Sequence, residues 1–130
     1  MATDEASGPR IPLVLVIEDD PSVRTLMVRA LEAAGYRALG APDGMTAVHE
    51  ARLEHPDLIL SDLILPGYSG DTVALAIRDE PGLESVPVIL VSGDQEIASR
   101  AEETGAADYV SKPFLPGDLV RRVRTVLAGR

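Results

Sequence analysis

Five short apolar runs, each followed by a stretch with helical spacing, constrain this chain more than any other feature. The first is Leu13-Val14-Leu15-Val16-Ile17. A continuous apolar run of this length, with no alternation, is what a strand buried on both faces requires. Asp20 and Pro21 then predict a helix start. Asp20 suits the N-cap, and Pro21 suits the first helical position, where no amide hydrogen is needed. Val23, Leu26, Met27, Ala30 and Leu31 recur at helical spacing until Gly35 stops them. The same reading predicts a strand over 36–39 and a helix over 43–54 that turns Ala47, Val48 and Ala51 inward. Leu58-Ile59-Leu60 is a third strand, and 66–70 is a turn-rich loop. A helix over 71–78 follows, with Val73, Ala74 and Ile77 on one face. Then come a strand over 88–91, a weaker helix over 95–104 stopped by Gly105, and a strand over 108–110. The last helix runs over 116–127, with Leu119, Val120, Val123, Val126 and Leu127 as its stripe.

A strand-helix unit repeated five times predicts an α/β domain. Its expected form is a doubly wound, five-stranded parallel sheet with right-handed crossovers and helices on both faces. The 130 residues suffice for one domain with a sizeable core. The expected domain is 11–128, and the polar, small-residue stretch 1–10 reads as a flexible leader.

In a parallel sheet the carboxyl ends of all strands share one edge, and ligands bind there. Glu18, Asp19 and Asp20 follow the first strand. Ser61 and Asp62 end the third. Ser92 and Gly93 end the fourth, and Ser111, Lys112 and Pro113 follow the fifth. Asp20 is the helix cap, which leaves Glu18, Asp19 and Asp62 as converging acids. Such acids repel one another unless some take up protons or a cation neutralises them. Hard oxygen ligands select magnesium, calcium or manganese. Lys112 adds a compact positive charge, and Ser92 a hydroxyl donor. A carboxylate nucleophile, a metal, an ammonium and a hydroxyl are the parts of phosphoryl transfer to an aspartate.

Charge and composition narrow the classes further. Twenty-one acids against twelve bases give a net charge of −9, which repels nucleic-acid phosphates. Direct DNA binding is not expected, and no helix-turn-helix pattern follows Leu127. The chain has no cysteine, which removes disulfides and thiolate metal sites and fits a reducing compartment. His49 and His55 are the only histidines, too few for a zinc site, and they are read as surface or packing residues. No apolar run approaches the ~20 residues that span a bilayer, and the first ten residues lack the pattern of a signal peptide. A cytoplasmic setting is expected.

Four segments carry a family resemblance. The run Val14-Leu15-Val16-Ile17-Glu18-Asp19-Asp20-Pro21-Ser22-Val23-Arg24 is similar to the opening of response-regulator receiver domains of two-component signalling. Pro56-Asp57-Leu58-Ile59-Leu60-Ser61-Asp62-Leu63-Ile64-Leu65-Pro66-Gly67 is similar to their phosphoacceptor segment. Pro87-Val88-Ile89-Leu90-Val91-Ser92-Gly93 resembles the strand that bears their hydroxyl. Gly105-Ala106-Ala107-Asp108-Tyr109-Val110-Ser111-Lys112-Pro113-Phe114 resembles their Lys-Pro signature.

The resemblance, which runs over about 11–127, implies a flavodoxin-like (βα)5 fold with strand order 2-1-3-4-5. It implies that Asp62 is the phosphoacceptor, with Lys112 contacting the phosphoryl group. Magnesium, or manganese, is implied on Asp19, Glu18, Asp62 and the backbone carbonyl of Ile64. Ser92 and Tyr109 are implied as the switch pair. The implied donor is a histidine kinase or histidine phosphotransfer protein. The implied output is a protein partner that reads the face of the fourth helix, fifth strand and fifth helix. Ile64 stands where Met or Asn is common in the family, Ser69 where Asp is, Ser92 where Thr is and Gly93 where Ala is. Asp94 reads as the cap of the fourth helix, with a minor role in dephosphorylation kinetics.

Other classes fit less well. An aspartate-nucleophile phosphatase needs a second acid two residues beyond the nucleophile, and Ile64 stands there. A flavin or nucleotide carrier needs a glycine-rich phosphate loop after the first strand, where this chain has acids. A binding module indifferent to phosphorylation has no use for the full acid set. The expected protein is a phosphorylated signalling domain and not a multiple-turnover enzyme.

Overall fold

The computed structural model describes residues 10–62, 64–65 and 68–130, and at 64–65 and 68–71 it describes the backbone alone. Residues 1–9, most of the segment read as a leader, lie outside it. Strands β1 (Leu13–Ile17), β2 (Arg37–Ala41), β3 (Leu58–Asp62), β6 (Val88–Ser92) and β7 (Asp108–Ser111) form one sheet. Its order is β2-β1-β3-β6-β7, and every neighbouring pair is parallel. The doubly wound five-stranded sheet expected from the sequence is therefore the one that forms.

The apolar runs make strands because both faces of the sheet are covered. Side chains alternate between faces along a strand, and two separate clusters result. Val14, Val16, Leu58, Leu60, Ile89 and Val91 pack with Met27 and Leu31 of α1 (Pro21–Ala33) and with Leu119 and Val123 of α5 (Pro116–Ala128). Leu15, Ile17, Ile59 and Leu90 pack on the other side. They meet Ala47 and Ala51 of α2 (Gly44–Glu54), Val73 and Ile77 of α3 (Gly70–Arg78), and Ile97 and Ala101 of α4 (Ile97–Thr104). Burying a side chain of this size contributes about 1.5–3 kcal/mol, so the two layers dominate stability. Among the described residues, no helix is long and apolar enough to cross a membrane.

Local signals set the helix ends. Asp20 caps α1 as expected, accepting from the Ser22 amide at 2.8 Å and the Val23 amide at 3.2 Å. Asp43 caps α2 by accepting from Thr46 at 2.7 Å. Gly105 closes α4 at φ +71, a left-handed conformation that costs a residue with a Cβ.

Three expectations shift. Strand β2 begins one residue later and runs two residues further than read, because Leu39-Gly40-Ala41 continues the ladder along Leu15-Val16-Ile17. The turn-rich loop read over 66–70 overlaps a small antiparallel pair, with β4 (Ile64–Leu65) just before it and β5 (Tyr68–Ser69) within it. Asp94 does not cap α4. The cap position is Glu96, without a side-chain bond, while the Asp94 carboxylate accepts from the Glu96 amide at 2.8 Å. Asp94 thus shapes the turn before the helix, a competing local use of a short acidic side chain.

Candidate functional site

The chain leaves β1 for β2 on one side and then crosses to β3 on the other. Strand order reverses between β1 and β3, which opens a crevice beyond their carboxyl ends. Glu18 and Asp19 follow β1 there, and Asp62 is the last residue of β3. The Glu18 amide donates to the Ala41 carbonyl at 3.0 Å, so the first acid is still tied to the sheet. Glu18 is 1% exposed and Asp62 7%, whereas Asp19 is exposed. Buried acids of this kind are rare unless they are paired.

One carboxylate oxygen from each of Glu18, Asp19 and Asp62 falls within 4.8 Å of the others. Oxygens bound about 2.0–2.5 Å from one hard cation lie at most about 4–5 Å apart, so the three fit a single divalent ion. The donor set is all oxygen, which suits magnesium, calcium or manganese and not zinc. Ile64, whose carbonyl was expected to join them, lies in β4 two residues past Asp62. Its side chain is outside the described residues.

Lys112, just past β7, brings the positive charge. Its Nζ donates to Glu18 Oε1 at 2.8 Å and to Asp62 Oδ2 at 3.2 Å. The second Glu18 oxygen accepts from the Asp20 amide at 3.1 Å. Burial pushes the Glu18 carboxyl above the usual glutamate range, against the lowering effect of the Lys112 and Asp20 hydrogen bonds. Burial alone would lower the Lys112 ammonium. The hydrogen bond to Glu18 and the charge of Asp62 outweigh it and hold Lys112 above its ordinary range. The crevice therefore presents a charged ammonium against two buried acids. The Lys112–Pro113 peptide is cis.

Ser92 ends β6, beside β3, and is 2% exposed. Its Oγ accepts from the Asp94 amide at 3.0 Å, and its carbonyl accepts from the Lys112 amide at 2.9 Å. Tyr109 lies half-buried in β7, opposite Leu90, against the cluster that includes α4. Arg122 of α5 reaches Asp108 Oδ1 at 2.8 Å and the Tyr109 carbonyl at 3.1 Å, which ties α5 to β7. The acids, the ammonium and the serine thus gather at one edge, with Tyr109 further back along β7. His49 and His55 are exposed and stand apart.

The sequence reading assigned nothing to Arg24. Its Nη1 donates to the Glu18 carbonyl at 2.9 Å and lies 3.4 Å from that of Asp19. The available signal was its place one helical turn past the Asp20 cap, where a long side chain can fold back over the acid loop.

Comparison with known proteins bears on the fold and the family. The family model described as the response regulator receiver domain matches residues 14–124. The phosphate regulon transcriptional regulatory protein PhoB of Escherichia coli is 37% identical over 116 residues, which are 88% of this chain and 51% of PhoB. The chain spans about half the length of the curated relatives it matches. The Vibrio cholerae chemotaxis protein CheY4 superposes with a TM-score of 0.84 at 27% identity, over 90% of this chain and 99% of that one. The signal receiver domain of a signal transduction histidine kinase from Syntrophus aciditrophicus gives 0.80 at 32% identity, over 91% of each chain. The chain belongs to the response-regulator receiver domain family.

Proposed function

We propose that this receiver domain accepts a phosphoryl group on Asp62 from a phosphohistidine of a partner histidine kinase or histidine phosphotransfer protein. The observation that carries the reading is Asp62 itself. It is a buried carboxylate at the strand-order reversal, within 3.2 Å of an ammonium and grouped with two further acids. An Asp62 carboxylate oxygen attacks phosphorus in line. The phosphorus–nitrogen bond to the donor imidazole breaks, and the imidazole leaves with the electron pair. Glu18, Asp19 and Asp62 would hold magnesium, with manganese as a substitute, and the Ile64 carbonyl is the expected backbone ligand. That ion supplies charge neutralisation for the phosphoryl oxygens. Lys112 orients and neutralises a further oxygen.

The aspartyl phosphate adds roughly −1.5 to −2 charge in the crevice. Ser92 turns its hydroxyl toward a phosphoryl oxygen, and Tyr109 moves into the space behind it. The face of α4, β7 and α5 then presents the phosphorylated state to a protein partner. The domain catalyses its own modification and hydrolysis and is not a multiple-turnover enzyme on an external substrate. Ile64, two residues past the acceptor, offers no proton-transfer group for a phosphatase. The setting is the cytoplasm, and the chain touches neither membrane nor nucleic acid directly.

The test is intact mass after incubation with acetyl phosphate, with and without magnesium, beside an Asp62→Asn variant. A single phosphoryl adduct that needs both magnesium and Asp62 supports the reading. If no adduct forms, beryllofluoride with amide shift mapping removes fast hydrolysis as the reason. Silence in both leaves a phosphorylation-independent binding module.

A further inference from the structure

Arg24 stands in the first turn of α1, and its amide donates to the Asp20 carbonyl at 2.9 Å. Its side chain folds back over the loop between β1 and α1. One guanidinium nitrogen there spans the carbonyls of both acids that follow β1, at 2.9 Å from Glu18 and 3.4 Å from Asp19. No other side chain described bonds to these two carbonyls. The carboxylates are held separately: Glu18 by Lys112 and the Asp20 amide. Arg24 therefore acts on where the backbone of the acid pair sits.

Its stem passes close over Gly40. Gly40 lies in β2 opposite Val16 of β1. A Cβ placed on it would stand 3.1 Å from both Cγ and Cδ of Arg24 and 3.5 Å from Val28 Cγ2. A glycine inside a strand weakens the strand and marks a close approach. Here the group that approaches is the stem of Arg24.

We infer that Arg24 is a positioning residue for the metal-binding acids, and that Gly40 is glycine so that Arg24 can reach them. The inference rests on the metal-assisted reading above. As a charge, Arg24 opposes a cation at the acid cluster. As a donor from one guanidinium nitrogen to two carbonyls, it favours one by fixing the loop. The two effects have opposite signs, so a conservative variant separates them. Lysine keeps the charge but replaces the rigid guanidinium plane, whose N–H directions are fixed, with a rotating ammonium that holds the two carbonyls less firmly.

The experiment is a titration of the full chain with magnesium alone, followed by the amide shifts of Asp19 and Asp62. Unfolding midpoints in chelator are measured for every variant. Arg24→Lys is expected to weaken magnesium binding about tenfold, the lower end of what losing an outer-shell partner costs. Gly40→Ala weakens it less and in the same direction. In the Arg24→Lys background, Gly40→Ala adds nothing further, because it acts through Arg24. If Arg24→Lys does not fold, Gly40→Ala alone carries the test. A wild-type magnesium midpoint in a folded Arg24→Lys variant overturns the inference, as do fully additive effects. A wild-type protein with no magnesium response at all fails differently: it removes the metal reading and this inference with it.

Discussion

Lys112 and Glu18 stand 94 residues apart in the chain and meet at 2.8 Å in the crevice. The contact joins the ends of β1 and β7, and the same ammonium reaches Asp62 at the end of β3. Two buried acids are thus held by one cationic group that the fold delivers from its last strand.

Replacing Lys112 with alanine leaves both acids without that partner. Stripping one member from a fully buried pair costs about 3–5 kcal/mol, and because the Lys112 side chain is 27% exposed we expect about 1–3 kcal/mol. Magnesium should recover part of the loss, because a cation bound to the native state alone shifts unfolding by mass action. Urea melts of Lys112→Ala with and without magnesium check this. The magnesium-induced gain should exceed that of the wild type, and an equal gain would argue that the acids do not share one ion.

Glu18→Gln should move stability the other way. Burial raises the Glu18 carboxyl, so its contribution is present at low pH and lost as pH rises through the raised value. At neutral pH without a cation, the ionised side chain is therefore a net cost. Glutamine keeps the shape and removes the charge, while its NH2 must face either Lys112 or the Asp20 amide and so forfeits one accepted hydrogen bond, which offsets part of the gain. The variant should gain about 0.5–1 kcal/mol in chelator, the low end of what a single stabilising substitution gives. Its magnesium binding should weaken. Paired urea melts and magnesium titrations read both effects, and a variant less stable in chelator than the wild type would contradict the argument.

Asp43 gives a second pH dependence, at the cap of α2. The Thr46 amide and hydroxyl hold its carboxyl below the usual aspartate range. The sign is opposite to that of Glu18: the stabilisation is present above the unfolded value of about 3.9 and is lost as pH falls through the lowered folded value. Asp43→Ala should cost about 1 kcal/mol at pH 7, as the loss of a helix cap does. The difference from wild type should shrink at acid pH. Thermal midpoints between neutral pH and pH 3 test it, and a constant gap across that range would assign the loss to something other than the carboxylate.

The sheet and the edge where the site gathers were legible because parallel strands carry their own signal. Leu13–Ile17 and Val88–Ser92 are apolar almost throughout, as burial on both faces demands. The polar residues that follow such runs must collect at one edge, which placed Glu18, Asp19, Asp62, Ser92 and Lys112 together. Local competition hid the rest. Asp94 had the composition of a cap, yet it bonds one residue short of the helix. The β4–β5 pair forms across a Pro-Gly segment whose composition reads only as a turn. The Arg24–Gly40 approach joins residues of two elements, and no spacing within either one announces it.

Ser92 links the crevice to α4, and its removal should separate phosphorylation from its readout. The Ser92 hydroxyl holds the Asp94 amide, the Asp94 carboxylate holds the Glu96 amide, and the Asp94 carbonyl accepts from Ile97 at 3.2 Å. A hydroxyl drawn toward a phosphoryl oxygen would release the first member of this chain and loosen the start of α4. Ser92→Ala leaves the Asp94 amide without its acceptor, at a cost of about 0.5–1.5 kcal/mol. Asp62, Lys112 and the acids are untouched, so acetyl phosphate should still add one phosphoryl group by mass. The amide shifts that beryllofluoride induces along 97–104 and at Tyr109 should shrink, while those at Asp62 persist. Shifts in α4 as large as in the wild type would mean that the signal leaves the crevice by another route, and the hydroxyl would then be a packing group and not the switch.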